Sequence, residues 1–220
     1  MTPPVQAVLF LGVIPALVIL YVVLKDYDGY YKEKTIFIMF VTGIVFGVIT
    51  ATTRYIINPF PYLIVYIVAF AFFEQLFKTI VLNIRSFQGK KETVIYGLTL
   101  GLGFGSAFTP FLIVMSSRVS NEASFIAMVG FGSISFIFFH AATAVYIAYG
   151  IYRFRLTKYL IAAVLLQLPF NILVDATRIY NNPYLMLSNL LLVLYGVILF
   201  YYVAKKIIPK IKIESRKRGG

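Results

Sequence analysis

The chain has 220 residues, 60% of them hydrophobic, with 20 Lys and Arg against 8 Asp and Glu and a net charge of +12. A soluble domain of this length cannot bury so much apolar surface, and a mean hydropathy of +0.88 points to an integral membrane protein. The absence of cysteine excludes a disulfide framework, Cys-ligated zinc, iron–sulfur clusters and a thiol nucleophile.

In chain order, Met1-Thr2-Pro3-Pro4 carries no basic residue ahead of the apolar run 5–24, so that run is expected to be a retained first span rather than a cleaved signal peptide. Six more apolar segments follow at about 35–53, 62–84, 94–117, 125–151, 159–179 and 184–204. Short loops with turn-forming residues separate them: Asp28-Gly29, Asn58-Pro59, Gln88-Gly89, Ser120-Asn121 and Asn181-Asn182-Pro183. Segments this long satisfy their backbone in lipid only as helices, so the expected fold is all-α, a single bundle of about seven transmembrane helices over 1–204 with a basic tail over 205–220.

The cations give the orientation. Loops 25–34, 85–93 and 152–158 and the tail together hold 16 Lys and Arg, whereas the opposite side holds Arg54, Arg118 and Arg178. This asymmetry predicts an outside N-terminus and a cytoplasmic C-terminus, and the expected location is the plasma membrane of a prokaryote. It accounts for the net charge by contact with the lipid bilayer, without nucleic acid as a partner. The basic tail reads first as a stop-transfer flank and second as a segment lying on anionic lipid.

Ionisable groups inside spans carry the functional signal, because a charge at bilayer depth costs from about 3 to more than 10 kcal/mol unless it is paired. Glu74 and Lys78 stand at i, i+4 in the third span, the favourable order for a helical ion pair. Glu74 lies about 20 Å beyond Pro61 at 1.5 Å per residue, near mid-bilayer. His140, the chain's one histidine, lies at a matching depth in the fifth span, with Ser133 and Thr143 on its face. In the sixth span Gln167, Asn171, Asp175 and Arg178 form one polar stripe, and Pro169 interrupts its backbone ladder. In the fourth span Gly97, Gly101 and Gly105 form a small-residue ridge, expected to pack within the bundle or, as the second reading, against another protein. The polar set Glu74, Gln75, Lys78, His140, Gln167, Asn171 and Asp175 is thus either a buried structural network or a reactive centre.

Over about 70–175 these residues resemble the PrsW-type intramembrane metalloproteases and the related Aph subunit of gamma-secretase, within the superfamily of CAAX-processing membrane proteases. The family's Glu-Glu-x-x-Lys block looks like Glu74-Gln75-Leu76-Phe77-Lys78, and its Gly-rich block looks like Gly101-Leu102-Gly103-Phe104. Its histidine block looks like His140-Ala141-Ala142, and its His-x-x-x-Asn block looks like Gln167 through Asn171. In the protease, paired glutamates and two histidines are thought to bind zinc. Gln75, Phe108-Thr109 and Gln167 depart from that pattern, so Glu74 and His140 alone carry over as metal ligands and catalytic residues. A catalytic zinc takes about three protein ligands plus water.

Two readings follow. In the first, the chain is a non-catalytic scaffold or assembly subunit that needs no cofactor and holds other membrane proteins. In the second it is an active intramembrane metallo-endopeptidase with zinc, Glu74 as ligand or base and His140 as ligand, taking membrane proteins as substrates. Ion transport ranks last, because the two halves show no inverted repeat.

Overall fold

A computed structural model describes residues 5–57, 62–115, 123–179 and 185–212. It contains seven helices: α1 (Val5–Leu24), α2 (Glu33–Ile56), α3 (Leu63–Leu82), α4 (Glu92–Met115), α5 (Ala123–Tyr152), α6 (Leu156–Ile179) and α7 (Leu185–Lys206). Six segments, from α2 through α7, are long and apolar enough to cross a membrane. In α1 the stretch Phe10–Leu24 is apolar but shorter. The all-helical, polytopic expectation holds for the described residues. One boundary moves with consequence: α2 extends to Ile56 and takes Arg54 out of the loop where the charge pattern had placed it.

The bundle is built around α4 and α5. In the most apolar 18-residue stretch of each, 71% and 83% of residues are buried, against 17% for the corresponding stretch within Leu187–Lys212. Glycine on several faces of α4 makes this central position possible. A Cβ on Gly101 would run into the His140 carbonyl oxygen, and one on Gly97 or Gly105 would meet Ala148 and Ala144 or Ile137 and Phe136 of α5. The ridge therefore faces α5 inside the bundle. Two residues on from Gly101, and so on the opposite side of the helix, Gly103 lies against the Phe40 carbonyl of α2. Small residues at these crossings let backbones approach closely where lipid supplies no hydrophobic drive.

The tail is not a free flank throughout. Beyond α7, Ile207, Ile208 and Ile211 are buried in the same apolar cluster as Leu24, Tyr27, Tyr149 and Tyr152. Lys210 and Lys212 lie 5.4 and 4.3 Å from the ring centroids of Tyr149 and Tyr27. Residues 213–220 and Arg118 lie outside the described residues, as does the side chain of Arg178.

Gly101→Ala should cost about 1–3 kcal/mol by overpacking against α5. Gly130→Ala, where a Cβ meets open space, should be neutral or stabilise by about 0.5–1 kcal/mol through helix propensity. Unfolding midpoints in detergent measure both, and a wild-type midpoint for Gly101→Ala would refute the close approach.

Candidate functional site

The polar residues meet between α2, α3, α5 and α6. Glu74 (1% exposed), Gln75, Lys78, His140, Gln167, Asn171 and Asp175 are all buried, and so is Arg54 (3%). Extensive pairing is what makes such a set tolerable.

Arg54 ties three helices. Its Nε donates to Glu74 Oε1 on α3 at 2.9 Å, and its Nη1 lies 3.4 Å from both carboxylate oxygens of Asp175 on α6. Its guanidinium sits 4.6 Å from the Phe70 ring centroid, close enough for a cation–π contact. The Tyr66 hydroxyl donates to the Arg54 carbonyl at 3.3 Å. Two carboxylates are thereby bridged by one planar, permanently charged fork, the group best shaped for the task.

Lys78 supplies the second cation. Its Nζ reaches three acceptors: Thr143 Oγ1 at 2.8 Å, His140 Nδ1 at 2.9 Å and Gln75 Oε1 at 3.3 Å. An ammonium has three hydrogens and no lone pair, so it is saturated by this set. Facing an ammonium, Nδ1 accepts, and a neutral imidazole then carries its proton on Nε2. An amide relay continues the network. Gln75 Nε2 donates to Gln167 Oε1, Gln167 Nε2 donates to Asn171 Oδ1 at 2.9 Å, and Asn171 Nδ2 donates to the Ile67 carbonyl at 3.1 Å.

One sequence expectation is corrected. Glu74 and Lys78 do not form the i, i+4 ion pair, because Glu74 takes Arg54 and Lys78 turns to α5. Asp175, expected in the polar set from its place on the stripe of α6, enters the network through Arg54. Arg54 itself was missed. Its signal was present, because the apolar run Tyr55-Ile56-Ile57 carries the helix past it to the next breaker, Asn58-Pro59. The structure does bring Glu74 and His140 together: His140 Nε2 lies 3.8 Å from Glu74 Oε2, beyond hydrogen-bond reach. Neither of those two atoms has a hydrogen-bond partner.

Aromatic rings enclose His140. Phe104 of α4 lies 4.4 Å from it between centroids, with Phe136 at 5.8 Å and Phe170 at 6.1 Å. Phe170 stacks on Phe139 at 3.9 Å. Pro169 is accommodated within α6, and near it the Tyr195 hydroxyl donates to the Leu166 carbonyl at 2.9 Å.

A zinc ion of the kind the family resemblance implies does not fit this arrangement. Lys78 holds Nδ1 of His140 and Arg54 holds Oε1 of Glu74, which leaves one atom on each residue where about three protein ligands are needed. Among the described residues no group of three His, Cys, Asp or Glu side chains is placed to hold a metal. Comparison with protein-family models, characterised proteins and solved structures finds no match to the chain.

Arg54→Met should destabilise the fold by about 3–5 kcal/mol, because it leaves two buried carboxylates without their counter-charge. Pairing it with Glu74→Gln and Asp175→Asn should recover much of that loss, read as the unfolding midpoint of the triple variant against the single one. Equal midpoints would show that Arg54 does not neutralise them.

Proposed function

We propose that the chain is a non-catalytic scaffold or assembly subunit of the membrane, built on a bundle of the PrsW and Aph type, whose polar interior serves to fix helix positions. The observation that carries this reading is that Arg54 and Lys78 occupy the sides of Glu74 and His140 that a metal would need. A divalent ion placed there would also meet two cations at hydrogen-bond distance from its own ligands, an arrangement opposed by simple Coulomb repulsion. The resulting centre has two positive and two negative side chains and no net charge, the composition of a structural network. The outside N-terminus, cytoplasmic C-terminus and plasma-membrane location belong to the same proposal and rest on the distribution of cations between the loops.

The second reading, an active intramembrane metallo-endopeptidase, draws on the unpartnered Glu74 Oε2 and His140 Nε2, which face each other at 3.8 Å. The two readings separate on metal content. Elemental analysis of protein purified in mild detergent should find well below one zinc per chain, and a stoichiometric, chelator-resistant zinc would sink the scaffold reading. Glu74→Gln and His140→Ala should lower the unfolding midpoint without abolishing any proteolysis of co-expressed membrane proteins. Selective loss of a cleavage product in a variant that stays folded would establish the protease instead.

A further inference from the structure

The buried polar atoms are not satisfied evenly through the bundle. Among the described residues, five buried side-chain atoms have no hydrogen-bond partner: Thr50 Oγ1, Glu74 Oε2, Thr109 Oγ1, Ser133 Oγ and His140 Nε2. All lie at the depth of His140 or on one side of it. Thr50 and Thr109 stand six residues before the ends of α2 and α4, and Ser133 lies two turns before His140 on α5. α2 and α4 end at the same face of the bundle at which α3 and α5 begin. On the other side of His140 the polar groups are paired. Lys78 has three acceptors, Thr143 donates to a backbone carbonyl, and Thr79 and Thr99 donate to the carbonyls of Gln75 and Ile95. An apolar cluster of Met39, Leu82, Tyr96, Leu100, Ile147 and Ala148 closes that side.

The helix segments that carry these atoms also meet at a common structure. Phe108 stacks on Phe136 at 4.3 Å, and both rings contact His140. Thr109 is the neighbour of Phe108 and lies against Gly132, next to Ser133. Ala51, next to Thr50, shares a cluster with Phe108 and Phe136. Glu74 Oε2 and His140 Nε2 end the series, an acceptor and a donor 3.8 Å apart. Isolated hydroxyls and a half-used carboxylate in an apolar interior are costly, and bound water with two to four polar partners is the usual remedy.

We propose that these atoms line a one-sided solvent recess. It opens at the face where α2 ends and α5 begins, and its innermost water accepts from His140 Nε2–H and donates to Glu74 Oε2. The recess stops there, because Lys78 is saturated and the Leu82–Leu100–Ile147 cluster lies beyond it. It does not depend on the scaffold reading, since a hydrated recess and zinc occupancy are measured independently.

A chain with one histidine and no cysteine permits two site-specific probes. In lipid bilayers, with nitrogen-15 in histidine alone, water-edited solid-state NMR should transfer magnetisation from bulk water to the His140 ring at a rate near that of exposed loop amides. A build-up no faster than that of the buried Ile147 amide, measured on a uniformly labelled sample, would overturn the proposal. In sealed vesicles, Ser133→Cys should react with silver ion from one side only and about tenfold faster than Ile137→Cys, a fully buried site one turn deeper, because a hydrated thiol ionises more readily. Equal rates at the two positions, or reaction from both sides, would refute one-sided access. The NMR measurement uses the unaltered protein and so decides the matter even where a cysteine variant fails to fold.

Discussion

The fold depends on keeping four charged side chains in a medium that penalises each of them severely. The Arg54 guanidinium answers most of that demand by sitting between Glu74 and Asp175. Arg54 and Glu74 come from consecutive helices and Asp175 from one 121 residues on from Arg54, so the pairing fixes how α2, α3 and α6 are placed. A buried ion pair contributes little net stability once desolvation is counted, but breaking one is costly. Its effect is therefore to penalise wrong arrangements. A register slip of α3 by one residue would carry Glu74 about 100° round its helix and away from Arg54.

Packing and polar pairing meet at one place. The Gly101 face of α4 lets α5 approach until backbone touches backbone at the His140 carbonyl. On the ring side of the same residue, Lys78 holds Nδ1 and Phe104 covers the face. The imidazole is thus fixed from its backbone and from its tip by different helices. Such double support is what a finely positioned side chain needs, whether the role is structural or chemical.

Much of this was legible in the sequence because lipid imposes strong rules. Segment length gave the helices, and spacing of four gave the glycine ridge. Matching depth singled out Glu74, His140, Gln167 and Asn171 as neighbours. The errors have physical causes. Glu74 and Lys78 at i, i+4 satisfy a local rule for exposed helices, but in an apolar interior the better-solvating tertiary partners win: Arg54 for the carboxylate, and three acceptors for the ammonium. Arg54 was missed because a cation near a span end ordinarily snorkels to the interface. Nothing local to it indicates that two carboxylates await it inside.

The burial of Ile207, Ile208 and Ile211 beside Leu24 and Tyr27 bears on how the protein is assembled. The first helix of a membrane chain leaves the ribosome long before residues roughly 180 positions later exist. Until they do, the C-terminal end of α1 lacks the side chains that cover it, and the apolar cluster there stays open. Synthesis of α1 and completion of its packing are therefore separate events in time. In that interval the nascent bundle would expose an apolar surface at the membrane interface for chaperones or proteases to recognise, and docking of three isoleucines would close it.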